Sequence, residues 1–259
     1  MNKNQPDTDS IFVDTKLGDE PFRFDESVAS VFPDMLRRSI PGYAASLEAI
    51  GSLAGRYVKD GTRCYDLGSS LGAATLAMRQ GIRARGSSII AVDNAPAMTR
   101  RCADIFAADT AKNGNEVPIE LVLGDLCELP ISNASMVVMN YTLQFLAPEK
   151  RDAEVLKIHE GLVDGGIFVL SEKVRDEDPH MESLLVDLYH EHKRRNNYSA
   201  LEIARKRAAL ENVLIPETVT EHRARLSEAG FENIAVWLRY FNFVSIIAIK
   251  SDPGVQPGS

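Results

Sequence analysis

An α/β fold built on a doubly wound, mostly parallel seven-stranded sheet is what this sequence predicts, from three observations. The stretch Thr62-Arg63-Cys64-Tyr65-Asp66-Leu67-Gly68-Ser69-Ser70-Leu71-Gly72-Ala73-Ala74-Thr75 has the form of a buried strand that ends in a glycine turn and runs straight into a helix. Beyond it, apolar runs alternate with helical patterns as βαβαβ, the order that gives a parallel sheet with right-handed crossovers. The chain has 259 residues, 44% of them apolar, enough for the core such a sheet needs.

Residues 1–20 read as a flexible, polar and acidic arm, 21–250 as a single α/β domain, and the Pro- and Gly-rich 251–259 as a flexible tail. Asp25 can cap a short helix from Glu26, with Val28, Val31 and Phe32 on one face, and Pro33 is expected to interrupt it. A second turn carries Met35, Leu36 and Ile40, and after the Pro41-Gly42-Tyr43 break a helix runs from Ala44 to Tyr57 with Leu47, Ile50, Leu53 and Ala54 inward. This preamble is expected to form a helical lid over the strand ends.

The alternation then reads strand Arg63 to Asp66, helix Gly72 to Gln80, strand Ile89 to Asp93, helix Ala95 to Ala108, strand Ile119 to Leu123. Strand four, Ser135 to Asn140, is continuously apolar until its last residue, and helix Pro148 to Leu162 leads through Asp164-Gly165-Gly166 into strand five, Ile167 to Ser171. A helical insertion over about 173–222 follows, with helices near Met181 to Arg195 and Ser199 to Asn212, and a third from Thr218 to Ala229 returns toward the sheet. The hairpin Asn233 to Arg239 and Phe243 to Lys250 closes the fold.

In open α/β sheets ligands bind outside the carboxyl ends of the strands, so Gly68, Asp93 and Asp125 converge there although they are far apart in sequence. Gly68 permits a sharp turn and Gly72 a close approach of helix to strand, because neither has a Cβ. Asp93, closing the second strand, suits a ribose hydroxyl pair. The full dinucleotide fingerprint asks for a glycine where this chain has Ser70, which favours an adenosine ligand without phosphates, in practice S-adenosylmethionine. Asp125 reads equally as an acceptor for an adenine amino group and as a turn or cap residue. Asn140 points into the crevice or bonds loop backbone. Tyr43, at the hinge, can stack on a ligand, though a lone aromatic is more often a packing residue.

Composition sets further bounds. Lys plus Arg number 29 against 37 Asp plus Glu, a net charge of −8, which disfavours direct nucleic-acid binding. Cys64, Cys102 and Cys127 lie in apolar or helical runs without C-x-x-C spacing and read as buried thiols. With no secretory signal and no long apolar run, a cytoplasmic protein without membrane segments is expected. His190 and His192 point to different helix faces, so no metal is assigned. The cations Lys193, Arg194, Arg195, Arg205, Lys206 and Arg207 ordinarily make a solvated helix surface; one of them over a ligand pocket would make a carboxylate clamp.

Several segments carry a resemblance to a known family: Val31-Phe32-Pro33-Asp34-Met35, Ser39-Ile40-Pro41-Gly42-Tyr43, Tyr65-Asp66-Leu67-Gly68 with Ser70-Leu71-Gly72-Ala73-Ala74-Thr75, and Asp93-Asn94-Ala95-Pro96-Ala97-Met98. Asn133-Ala134-Ser135-Met136-Val137-Val138, Thr142-Leu143-Gln144-Phe145-Leu146, Leu170-Ser171-Glu172-Lys173, and Lys206-Arg207 followed by Leu210-Glu211-Asn212-Val213 extend it. From about Phe24 to Lys250 the chain resembles the carboxy-S-adenosyl-L-methionine synthases. The resemblance implies a Rossmann-like class I methyltransferase fold and a dimer that moves no methyl group. It implies conversion of S-adenosylmethionine and prephenate to carboxy-S-adenosylmethionine and phenylpyruvate, the product serving a separate enzyme that modifies wobble uridine in tRNA. In the family proposal the hydroxide leaving prephenate takes a proton from the sulfonium methyl, and the resulting ylide attacks the carbon dioxide released, so no protein base is needed.

By the same resemblance Tyr43, Gly68, Ser69, Ser70, Asp93, Asn94, Asp125, Leu126 and Asn140 line the cofactor site, and Arg207 binds the new carboxylate. Ser69 stands where the family often has cysteine, and the N-terminal arm is longer than the family leads one to expect. The rival readings are a methyltransferase acting on a small molecule, which needs no carboxylate clamp, and a non-catalytic cofactor-binding module; a nicotinamide dehydrogenase lacks support at Ser70.

Overall fold

In the computed structural model, which describes residues 9, 11, 22–114 and 116–254, the strand at the glycine turn runs Arg63–Leu67 (β1). The others are Ser88–Asp93 (β2), Ile119–Leu123 (β3), Ala134–Asn140 (β4), Leu162–Lys173 (β5), Asn233–Tyr240 (β6) and Phe243–Ile249 (β7). They form one seven-stranded sheet in the order β3-β2-β1-β4-β5-β7-β6. The first five neighbours pair in parallel, while β7 runs antiparallel to both β5 and β6. The chain winds outward from β1 to β3 and then crosses to β4 on the other side of β1, so the switch point lies between the ends of β1 and β4.

Alternate residues of each strand face opposite sides. Cys64, Ile89, Met136, Val138, Ile167 and Val169 bury against Ile50 and Ala54 of Tyr43–Tyr57 (α2) and Met78 of Ala73–Gly81 (α3). Tyr65, Leu67, Val137, Met139, Phe168 and Leu170 bury against Val155 and Ile158 of Pro148–Gly161 (α5) and Leu226 of Val219–Glu228 (α8). Pro96–Asn113 (α4) covers Ala91 with Cys102 and Phe106 and outlasts the expected end at Ala108 by more than a turn. Helix α2, expected as part of a lid, covers a sheet face instead, because Ile50 and Ala54 are apolar on the side that meets β4 and β5.

The other helix of the expected lid is Glu26–Ser39 (α1). It runs unbroken through Pro33, where an interruption was expected. Asp25 caps it by accepting from the Val28 amide at 3.0 Å, and Val28, Phe32 and Met35, on both sides of the proline, bury against Ala95, Ala97, Met98 and Ala209. Continuous burial outweighs the one amide hydrogen bond that Pro33 cannot make. Strand β5 is also longer than expected. It starts at Leu162, bulges through the Asp164-Gly165-Gly166 turn, and carries Glu172 and Lys173, expected at the start of the insertion, into pairing with Val244 and Phe243.

The insertion contributes Pro179–Arg195 (α6) and Ala200–Leu210 (α7), started by the side chains of Asp178 and Ser199 as N-caps. Of the arm expected to be loose, Asp9 is 2% exposed: its amide donates to Asp34 Oδ2 at 2.9 Å, its carbonyl accepts from Arg38 at 3.0 Å, and its carboxylate accepts from the Tyr198 hydroxyl and lies 3.9 Å from Lys206 Nζ. The rest of 1–20 apart from Ile11, and 255–259 of the expected tail, lie outside the described residues.

Candidate active site

Strand β1 delivers Gly68 to the switch point in a left-handed conformation (φ +82°), its amide donating to the Val92 carbonyl at 2.9 Å. A Cβ there would fall 2.4 Å from Thr142 Cγ2, so this backbone can only lie bare beneath the loop that follows β4. Gly72 acts differently from expectation. A Cβ on it would meet Phe106 at 2.3 Å and Cys102 Sγ at 3.0 Å, so it clears room for α4 rather than for its own strand.

Ser70 also adopts a left-handed backbone (φ +51°), held by its amide donating to Asp93 Oδ2 at 2.8 Å. Asp93 Oδ1 accepts from the Ala95 amide at 2.8 Å, and burial raises the carboxyl above its ordinary value. A carboxylate has about four acceptor positions, so two remain for a diol. The Gly124 amide donates to the Asp93 carbonyl at 3.0 Å, joining the loop after β3 to the same rim. Asn94 is exposed there, Leu126 is buried in the core, and Asp125 is a cap: its carboxylate accepts from the Cys127 amide at 2.9 Å.

Two polar atoms in this cradle are buried without a partner, Ser69 Oγ and Asn140 Oδ1. A donor or acceptor left so costs free energy unless a ligand completes it. No loop amide donates to Asn140 Oδ1, so of the two readings of Asn140, bonding of loop backbone through that oxygen fails. The hydroxyl of Ser69 and the carbonyl of Asn140 complement the carboxylate and ammonium of a methionine moiety, and with Asp93 for a ribose the residues present fit S-adenosylmethionine.

Tyr43, first residue of α2, lies 6.4 Å from the Tyr141 ring. Burial, with Asp66 nearby, pushes its hydroxyl pKa up. Tyr141 holds a left-handed backbone (φ +64°), uncommon for a bulky residue, with its amide donating to the Ser171 carbonyl at 2.7 Å. The turn beyond it is pinned by Glu172, whose two carboxylate oxygens accept from the Leu143 and Gln144 amides at 3.0 and 2.9 Å. Burial pushes Glu172 up to about 8.

Sequence reasoning assigned no role to Glu172, nor to Asp66, which is buried, takes a 2.5 Å hydrogen bond from Thr75 and is pushed up to about 6 by burial. The available signal was an acid inside or closing an apolar strand. Cys64 and Cys102 are buried thiols as expected; Cys127 is only partly covered.

Hydrogen bonds thus bring together Gly68, Ser69, Ser70, Asp93 and the Asp125 loop, with Asn140 beside them on β4. Arg207 stands apart from that network. It is exposed in the last turn of α7, and its charge is felt by Lys173 and His190. Lys173 ends β5 and donates its amide to the Gln144 side chain at 3.0 Å, so the strand end that feels the Arg207 charge is that of β5. Among the described residues Arg207 has no hydrogen-bond or ion-pair partner through its guanidinium. Two of the cations expected on a solvated surface, Lys193 and Lys206, are buried instead.

The strand order, the glycine turn and the acid closing β2 define a class I S-adenosylmethionine-dependent methyltransferase fold. A methyltransferase domain family matches residues 65–170, and an S-adenosylmethionine-dependent methyltransferase structure from Methanococcus maripaludis superposes with a TM-score of 0.58 at 21% identity, covering 92% of this chain and 98% of that one. Carboxy-S-adenosyl-L-methionine synthase from Geobacter sp. strain M21 is 50% identical over 94% of this chain and 98% of its own. The enzyme of that name from Trichlorobacter lovleyi is 52% identical over 88% and 93%. The chain belongs to the carboxy-S-adenosyl-L-methionine synthase family.

Proposed function

We propose that this enzyme converts S-adenosyl-L-methionine and prephenate to carboxy-S-adenosyl-L-methionine and phenylpyruvate, supplying a carboxymethyl donor to a separate tRNA-modifying enzyme. The observation that supports this reading beyond the fold is Arg207, exposed in the last turn of α7, its charge felt at the end of β5 and, among the described residues, without an acid of its own. A methyl transfer has no use for it; a carboxylate forming on the sulfonium methyl does, because the planar fork of donors matches a carboxylate in a bidentate manner.

In this reading Gly68, Ser69, Ser70 and Asn140 hold the methionine moiety, Asp93 and Asn94 the ribose, Asp125 and Leu126 the adenine, and Tyr43 packs over the ligand. Atoms balance without a protein base. The bond to the prephenate ring carboxylate breaks, its electron pair expels the ring hydroxide, the hydroxide takes one methyl proton to become water, and the methyl carbon bonds to the released carbon dioxide. The protein supplies alignment and a cation for the product charge.

Arg207→Ala is expected to lower kcat/KM for carboxylated product about 100-fold while S-adenosylmethionine affinity stays within a few-fold. Unchanged turnover in that variant removes Arg207 from the site. The family resemblance also supports a homodimer formed largely through the insertion, where Met181, Leu184 and Leu201 are exposed at 42%, 44% and 56%. Light scattering that gives the 28.5 kDa monomer mass at micromolar concentration defeats that part.

A further inference from the structure

Two lysines lack an acid to pair with: Lys193, which is buried, and Lys173, which is half-buried and feels the charge of Arg207. Lys193, in the last turn of α6, is 4% exposed, and its Nζ lies 4.5 Å from the centre of the Tyr189 ring. Lys173, the last residue of β5, holds its Nζ 5.5 Å from the same ring. Among the described residues neither ammonium has a carboxylate within 4.0 Å or an acceptor for its protons. Lys206 and Arg207 add positive charge around them, and the acids that reach them electrostatically are Asp9 and Glu182. The Asp9 carboxylate already accepts from the Tyr198 hydroxyl and pairs with Lys206 at 3.9 Å.

A buried cation without a counterion is costly, and a cation–π contact offsets only part of that cost. Burial accordingly pushes both lysine pKa values down. Such a cost persists where a ligand supplies the missing charge. The surroundings show what else the ligand must be. Tyr189 packs edge-on to Phe243 at 5.0 Å, Phe243 to Tyr141 at 5.9 Å, and Tyr141 lies next to Tyr43. An aromatic wall therefore runs from the lysine pair to the residue that follows Asn140.

We propose that Lys173 and Lys193 form the subsite for the carboxylate that the second substrate keeps, with its ring along Tyr189, Phe243 and Tyr141 and its other carboxylate toward Arg207. The site is thereby selective for a cyclic dicarboxylate and for the arylpyruvate left after carboxyl transfer. This rests on the proposed reaction, in which the pyruvyl carboxylate of prephenate is carried through to phenylpyruvate and so needs a cation distinct from Arg207.

The test measures phenylpyruvate binding by calorimetry in the presence of S-adenosylmethionine, for the full chain and for Lys193→Met and Lys173→Met, together with KM for prephenate and thermal midpoints. Each variant is expected to bind phenylpyruvate at least tenfold more weakly and to show a matching rise in KM, with S-adenosylmethionine affinity unchanged. Lys193→Met is expected to unfold at an equal or higher temperature, since it removes an unpaired buried charge; a purely structural lysine would lower it and leave phenylpyruvate binding alone. Should a Met variant fail to fold, Lys193→Gln and Lys173→Gln give the same reading. Wild-type protein that does not bind phenylpyruvate, or variants that bind it as wild type does, overturn the subsite. Binding that depends on the lysines in a protein that does not turn over prephenate upholds the subsite and defeats the reaction.

Discussion

Gly68 shows how little latitude one position in this site has. Its left-handed backbone and the Thr142 side chain 2.4 Å from where a Cβ would stand both exclude a larger residue. Gly68→Ala is expected to cost about 1–2 kcal/mol of stability from the left-handed conformation alone. Because the displaced Thr142 loop adjoins Asn140, S-adenosylmethionine affinity should fall at least tenfold; calorimetry that shows wild-type affinity would mean the ligand does not touch this turn. Gly68, Ser70 and Asp93 were legible in the sequence because a glycine turn and an acid closing the next strand are local signals. Glu172 and the burial of Lys193 were not, because each depends on a partner far away in the chain: the amides at 143 and 144 for the first, the Tyr189 environment under the insertion for the second.

At the scale of elements, sequence pattern located each β-strand and α-helix of the described residues but neither 3-10 turn, at Leu126–Glu128 and Leu143–Phe145, and the other errors fell where tertiary contacts override a local rule. Pro33 failed to break α1 because burial continues on both sides of it, and β5 outran its apolar core because β7 offers pairing partners as far as Lys173. Helix α8 carries a consequence for stability against pH. Its His222 faces Glu217 before the helix, Arg225 and Glu221 on it, and Arg151 from α5, and burial pushes it down to about 4 from an ordinary 6.5. Between those values the unfolded chain binds a proton that the folded chain refuses, so the contribution present above pH 6.5 is lost as pH falls toward 4. A full shift of that size amounts to about 3 kcal/mol. Asp66 and Glu172, pushed up to about 6 and about 8, act in the opposite sense, destabilising the fold as pH rises. Comparison of wild type with His222→Gln isolates the histidine: urea midpoints of the variant are expected to fall less steeply from pH 6.5 to 4, and parallel curves would contradict the burial argument.

For the whole molecule, the alternation of strands and helices made the parallel sheet legible, and its switch point followed from topology alone. What the sequence could not reveal is which surfaces the insertion brings over that point, because α6 and α7 are fixed by contacts with α1 and with Asp9, an arm residue that reads as loose. Those contacts gather Lys193 and Arg207 within electrostatic reach of Lys173 at the end of β5, and Lys206 within reach of Lys193, in a protein whose net charge is −8. A local cationic site within an acidic surface suits a small anionic substrate, whereas gripping a nucleic-acid backbone calls for a broad positive face. The central claim is that this rim joins a carboxyl group to the sulfonium methyl of S-adenosylmethionine. Mass spectrometry of the purified protein incubated with S-adenosylmethionine and prephenate tests it most directly. Equal amounts of carboxy-S-adenosylmethionine and phenylpyruvate are the predicted result; unconsumed prephenate, or S-adenosylhomocysteine with a methylated product, would contradict it.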